Sequence, residues 1–127
     1  SAKLDDLANY VPARITGILL ALASFILGYD AKEAVQTMKG YSHLHPSPNS
    51  GVCEAAVAGA LGIRLGGLNY YGGVPSFREY LGDSRNPLAP RHISDAIRLM
   101  YFASVLAVGI GTVLMLLLNH ARFLKGM

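Results

Sequence analysis

Residues 99–119 read LMYFASVLAVGIGTVLMLLLN, twenty-one positions without a charge, set between Arg98 and His120. A helix of that length reaches about 31 Å, enough to cross a hydrocarbon core of about 30 Å unaided. Ala103, Ala107 and Gly111 recur every fourth residue and make a small-residue seam on which a neighbouring helix can pack. Working back along the chain, residues 15–29 (ITGILLALASFILGY) are also uncharged and lie between Arg14 and Asp30. Fifteen residues give about 22 Å of helix, so this run needs help to span. Tyr10 and Val11 extend it, and the Arg14 stem can snorkel. Spans are therefore expected at about 11–29 and 99–119, with a buried core helix as the alternative for the first.

A third apolar piece, residues 55–63 (AAVAGALGI), lies between Glu54 and Arg64 and is too short to cross. Ala58, Gly62 and Gly66 would share one helical face, which predicts a re-entrant or deeply seated helix that satisfies its own backbone. The fold class expected is thus all-α. It is a polytopic membrane protein with two transmembrane helices, one short buried or re-entrant helix and a polar Gly/Pro-rich connector over 30–98.

Composition agrees. Of 127 residues, 52% are apolar and only 15% charged, against about 25% charged in ordinary soluble domains. The length suits one membrane domain over 1–127. One cysteine, Cys53, excludes an intrachain disulfide. The net charge of +3 is scattered rather than clustered, which argues against nucleic acid and for lipid or phosphate-bearing small molecules as partners. The chain opens at Ser1 inside a helical pattern and without signal-peptide architecture, which suggests a fragment, a processed chain or one half of a split protein.

Within the connector, Asp30 and Glu33 have capping-box spacing for a helix at 31–39 that Gly40 would stop. Ser76 and Glu79 repeat that spacing before Gly82, and Pro46, Pro48 and Gly51 would keep HPSPNSG irregular. The last helix is expected to start near residue 93, after Pro87 and Pro90. Seven of the eleven Lys and Arg fall in the 31–98 region, a bias that places the connector on the cytoplasmic side.

Three constellations bear chemistry. Asp5, Asn9 and Thr16 cluster on the polar side of the first helix with Asp6 at its edge; the acids suit either a hydrated Mg²⁺ or the helix N-terminus. Arg14, inside the apolar margin, suits a phosphate or a snorkelling role. In HLHPSPNSG, prolines preset the backbone that presents His45, Ser47 and Asn49, and Glu54 follows closely as a general base or helix-dipole partner. A zinc site on His43 and His45 lacks a second ligand pair. In GIRLGGLNYYGG, Arg64, Asn69, Tyr70 and Tyr71 offer charge, hydrogen bonds and stacking beside glycines that admit a phosphate; a turn with interfacial tyrosines is the plainer alternative. It is neither a Walker loop nor a dinucleotide fingerprint.

The ordered series DDLANYVPAR, HPSPNSGVCEAAVAGALGIRLGGLNYYGG and YLGD, followed by a proline-led last helix, resembles the adenosylcobinamide-phosphate synthase family. These are polytopic inner-membrane proteins of cobalamin biosynthesis. The likeness runs from about residue 4 to 117 and covers the C-terminal part of the family's usual length, whose further N-terminal helices are absent here. Val52 and Cys53 depart from the aromatic and proline of the family pattern.

The resemblance implies ATP-dependent amide formation between adenosylcobyric acid, a corrinoid, and aminopropanol or its phosphate. It implies Mg²⁺ with ATP. For that chemistry the residues offer Asp5, Asp6 and Arg14 or Arg64 as candidates for metal and phosphates, with Asn69, Tyr70 and Tyr71 beside Arg64; His45 or Glu54 as acceptor of the amine's proton; and Asn49 to orient a reacting group. A non-catalytic membrane scaffold is the main alternative, as is half of a split synthase needing an N-terminal partner or a homo-oligomer. A transporter would want ionisable groups within its spans, and both clear runs lack them.

Overall fold

The chain's computed structural model describes residues 2–41 and 48–127. Its elements are α1 (Ala2–Leu27), α2 (Ala31–Tyr41), α3 (Pro48–Leu61), β1 (Leu65–Tyr71), β2 (Val74–Leu81) and α4 (Arg91–Lys125). Two helices are long and apolar enough to cross a membrane, within Leu7–Leu27 and Arg91–Lys125, and the shorter apolar helix lies between them. The mostly helical reading holds.

α1 and α3 end the same way. Gly28 and Gly62 take the left-handed backbone, φ +86° and +67°. After α1, the Gly28 and Tyr29 N–H groups bond Phe25 and Ser24 carbonyls at 3.4 and 2.8 Å; after α3, those of Gly62 and Ile63 bond Gly59 and Ala58 at 3.3 and 3.0 Å. Both are Schellman endings, which satisfy carbonyls that a helix end would otherwise orphan. This is why the first helix stops at Leu27 rather than 29. The Asp30 N–H then donates to Ala60 O at 3.2 Å, fastening one ending to the other.

Asp30 caps α2 as its spacing predicts, accepting from the Glu33 N–H at 3.1 Å. α2 runs antiparallel to α3 and meets it at Gly59, where an added Cβ would sit 2.3 Å from Glu33 O and 2.6 Å from Thr37 Oγ1. Alanines dominate the buried core (Ala23, Ala34, Ala56, Ala58, Ala103) around Leu20, Leu61 and Leu99. Small side chains let the backbones approach closely. α4 packs through Leu99 and Ala103, while from Ala107 onward every residue is exposed.

Three local readings are corrected. The α3 helix begins at Pro48, so Pro48–Gly51 form its first turn, with proline at a position where its missing N–H costs nothing. Gly62 and Gly66 do not extend Ala58's helical face, because Gly62 is the cap and Gly66 belongs to β1. α2 continues through Gly40 to Tyr41, since no left-handed residue interrupts it.

The connector also contains an antiparallel hairpin, β1–β2, so the fold is not purely helical. Ser76 and Glu79 sit in β2, not at a helix start. Gly72 and Gly73 both have positive φ, +60° and +81°, and supply the tight two-residue turn that pairs Tyr71 with Val74. A shift between Leu65 and Gly67 marks a bulge at the hairpin's root. Leu81, 1% exposed, anchors that root.

Candidate functional site

Arg14 and Asn49 meet across the α1–α3 interface. The Arg14 Nη1 donates to Asn49 Oδ1 at 2.7 Å, and Asn49 is 8% exposed. The guanidinium also lies over the Tyr10 ring, 3.8 Å from its centroid, so it is held from two sides. Next along α1, Gly17 leaves room for Met38 and Val52; a Cβ there would come within 2.7 Å of each. A glycine is required for α1, α2 and α3 to converge at this level.

Glu54 stands in the middle of α3, not at its start, and is half-buried. It lines a cleft of about 460 Å³ between α1, α3 and α4, together with Thr16, Cys53, Leu65, Met100 and Ser104. The hydroxyls of Thr16 and Ser104 bond their own helices, to Pro12 O and Met100 O at 2.8 Å each. Their donors are thus spent while their oxygens still accept. Burial, and then the Glu54 charge, push the Cys53 thiol up, which disfavours the nucleophilic thiolate. Glu54 and Cys53 are the ionisable side chains that line this cleft.

The sequence-derived constellations divide between two ends of α3. Asn49 and Arg14 lie at its N-terminal end. Arg64 lies past its C-terminus, about 18 Å or more along the helix from Asn49, with its guanidinium 3.9 Å from the Tyr80 ring centroid. Tyr70 is on the hairpin and exposed. Asn69 and Tyr71 are in β1 and Asp6 is in α1, but their side chains lie outside the described residues, as does the whole of His45.

Asp5 is exposed on α1, and the Asn9 amide donates to its backbone carbonyl at 2.9 Å. Successive helical residues diverge by about 100°, so positions 5 and 6 do not share one face of α1. Among the described residues no three His, Cys, Asp or Glu converge to hold a metal alone. The donor set fits Mg²⁺ only as a complex whose phosphates and waters complete the octahedron.

Sequence reading missed the contacts at the other end. Arg85 Nη1 pairs with Asp30 Oδ2 at 2.9 Å and its Nη2 donates to Gly59 O at 2.7 Å. The Asn86 side chain donates to Leu61 O at 3.0 Å, and both backbone N–H groups reach Gly62 O. A cation and an amide thus cover the carbonyl end of α3, where its dipole is negative. The Glu33 N–H first, and then Arg85, hold the Asp30 carboxyl below its usual value. Tyr29 donates to Asp95 and Tyr41 to Asp83, each at 2.9 Å. Only the Gly-Asp-Ser-Arg-Asn-Pro stretch, residues 82–87, hinted at this arrangement.

The family model for the CobD/Cbib protein matches residues 1–100. Relatives named cobalamin biosynthesis protein CobD include one from Leptospira interrogans, 47% identical over 83% of this chain and 33% of its own length. One from Geobacter metallireducens is 44% identical over 94% of the chain and 37% of its length. A third, from Citrobacter koseri, is 44% identical over 87% and 34%. The chain thus spans about a third of the length of these relatives. No solved structure matches it. With most of its residues matched by that model, the chain belongs to the CobD/Cbib protein family.

Proposed function

We propose that the protein takes part in cobalamin biosynthesis by joining a carboxylate of adenosylcobyric acid to the amine of aminopropanol or its phosphate, at the expense of ATP. The family match over residues 1–100 carries this reading. A corrinoid carboxylate oxygen attacks the γ-phosphorus of ATP, giving an acyl phosphate and ADP. The amine nitrogen then attacks the acyl carbon, phosphate leaves, and the ammonium proton passes to a base. Glu54, in the cleft, is that base, or His45 from the adjoining segment. Asn49 orients a reacting group, and Arg14, already fixed by Tyr10 and Asn49, balances phosphate charge. Mg²⁺ would neutralise the nucleotide's charge, with Asp5 and Asp6 as its protein carboxylates.

In this reading residues 1–127 form one membrane domain. Its two long helices cross the prokaryotic cytoplasmic membrane. The exposed apolar surface of α4, from Val105 to Leu118, supports that setting. Purified protein in lipid nanodiscs, given Mg²⁺, ATP, adenosylcobyric acid and aminopropanol phosphate, is expected to yield the amide by mass spectrometry. ADP release without amide, or no reaction from folded protein, would overturn the assignment. Because the chain spans a third of its relatives, a second reading has further helices or a second copy completing the site. Amide formed only after a relative's remaining segment is added would favour it.

A further inference from the structure

We infer that the root of the β1–β2 hairpin is an interfacial anchor, seated in the lipid headgroup layer through Arg64, Phe77 and Tyr80. The inference rests on the membrane-spanning reading of α1 and α4 and adds a role for the hairpin. Tyr80 and Phe77 pack edge to face, with centroids 5.9 Å apart and planes at 86°. The Arg64 guanidinium covers Tyr80 from the other side at 3.9 Å. All three residues are exposed, Phe77 at 56%. A two-stranded hairpin is marginal by itself, and this one is buried only at Leu81 and half-buried at Leu65 and Ser76 among its described residues. Its aromatic face needs a cover.

Position says what that cover is. Leu65, at the root, lines both clefts that run along α4, beside Ala96, Ile97 and Met100. That level coincides with Arg98, where the uncharged run of residues 99–119 begins. Tyr80 adjoins the buried Leu81, and Phe77 lies three residues, about 10 Å of strand, further out. The cluster therefore stands where hydrocarbon gives way to headgroups. An aromatic edge with one polar tip, plus a guanidinium that bonds phosphate, is the side-chain chemistry that this layer favours.

The chain contains no tryptophan, so Phe77→Trp makes a single-site reporter. In vesicles of phosphatidylcholine and phosphatidylglycerol, its emission should shift to the blue. Lipids brominated near the headgroup should quench it more than lipids brominated near the chain end, and aqueous acrylamide should quench it weakly. A water-like emission quenched by acrylamide would overturn the inference. So would a blue-shifted emission insensitive to brominated lipid, the result expected if protein or a flat substrate covers the face. Val108→Trp, on the exposed face of α4, checks the underlying reading separately. Deep bromolipid quenching there with none at position 77 would refute the anchor alone, whereas no quenching at 108 would refute the span.

Discussion

Two arginines at opposite ends of α3 are held in opposite ways. Arg85 is fully engaged in the fold, bonding Asp30, the Gly59 carbonyl and, through its N–H, Gly62. Arg14 bonds one buried amide and one ring at the α1–α3 interface. The first arrangement spends its hydrogen-bonding capacity on closing helix ends. The second holds its cation by an amide and a ring, and nearby on α3 the Glu54 carboxylate lines a space large enough for a ligand. A cation's neighbours, more than its presence in a motif, tell a clamp from a site.

Gly59→Val should break the comparison most severely. Its added atoms would run into Glu33 O and Thr37, and overpacking of this kind costs about 1–3 kcal/mol or more. A large drop in the detergent unfolding midpoint, with activity lost in parallel, is expected; an unchanged midpoint would mean that α2 and α3 do not meet there. Arg14→Met should act at the other end, with a smaller fall in the midpoint as Asn49 Oδ1 loses a charged donor. Removing a charged hydrogen bond to substrate phosphate worth about 1.5–3 kcal/mol predicts a roughly 10- to 150-fold loss of kcat/KM. A fall in the midpoint that accounts for the whole loss would make Arg14 a structural residue like Arg85.

Arg85→Ala should lower stability by about 1–2 kcal/mol, because Gly59 O loses its charged donor, and leave activity per folded molecule intact. The smallest effect concerns pH. Since Asp30 has its pKa lowered in the fold, from 3.8, its contribution is complete above that value and fades as pH falls through the folded one. Asp30→Asn should flatten this part of the acid limb of a stability profile, and an unaltered limb would remove Asp30 from it.

How far these ends could be read from sequence differs for a physical reason. Charge-free length fixed α1 and α4, and the capping spacing of Asp30 with Glu33 placed α2, because these signals are local. The hairpin escaped because its strands carry glycines and prolines, and its turn needs two positive-φ glycines that look like any flexible run. Arg14 and Asn49 were singled out separately, but their 2.7 Å contact spans 35 positions, which no local pattern encodes. The Arg85 clamp joins residues 55 positions apart and was invisible for the same reason. Arg64 and Arg14 seemed parts of one phosphate site, yet the intervening helix keeps them about 18 Å or more apart.

One paired assay bears on all of this. Amide formation by Glu54→Gln and by Arg85→Gln, each normalised to folded protein in nanodiscs, compares the cleft with the clamp directly. The account predicts a loss of about 10²–10⁴-fold for Glu54→Gln, the range for a missing general base, with a near-native unfolding midpoint. Arg85→Gln should show the reverse, a lower midpoint with normal turnover. Undiminished amide synthesis by Glu54→Gln would contradict the claim that the Glu54 cleft holds the chemistry.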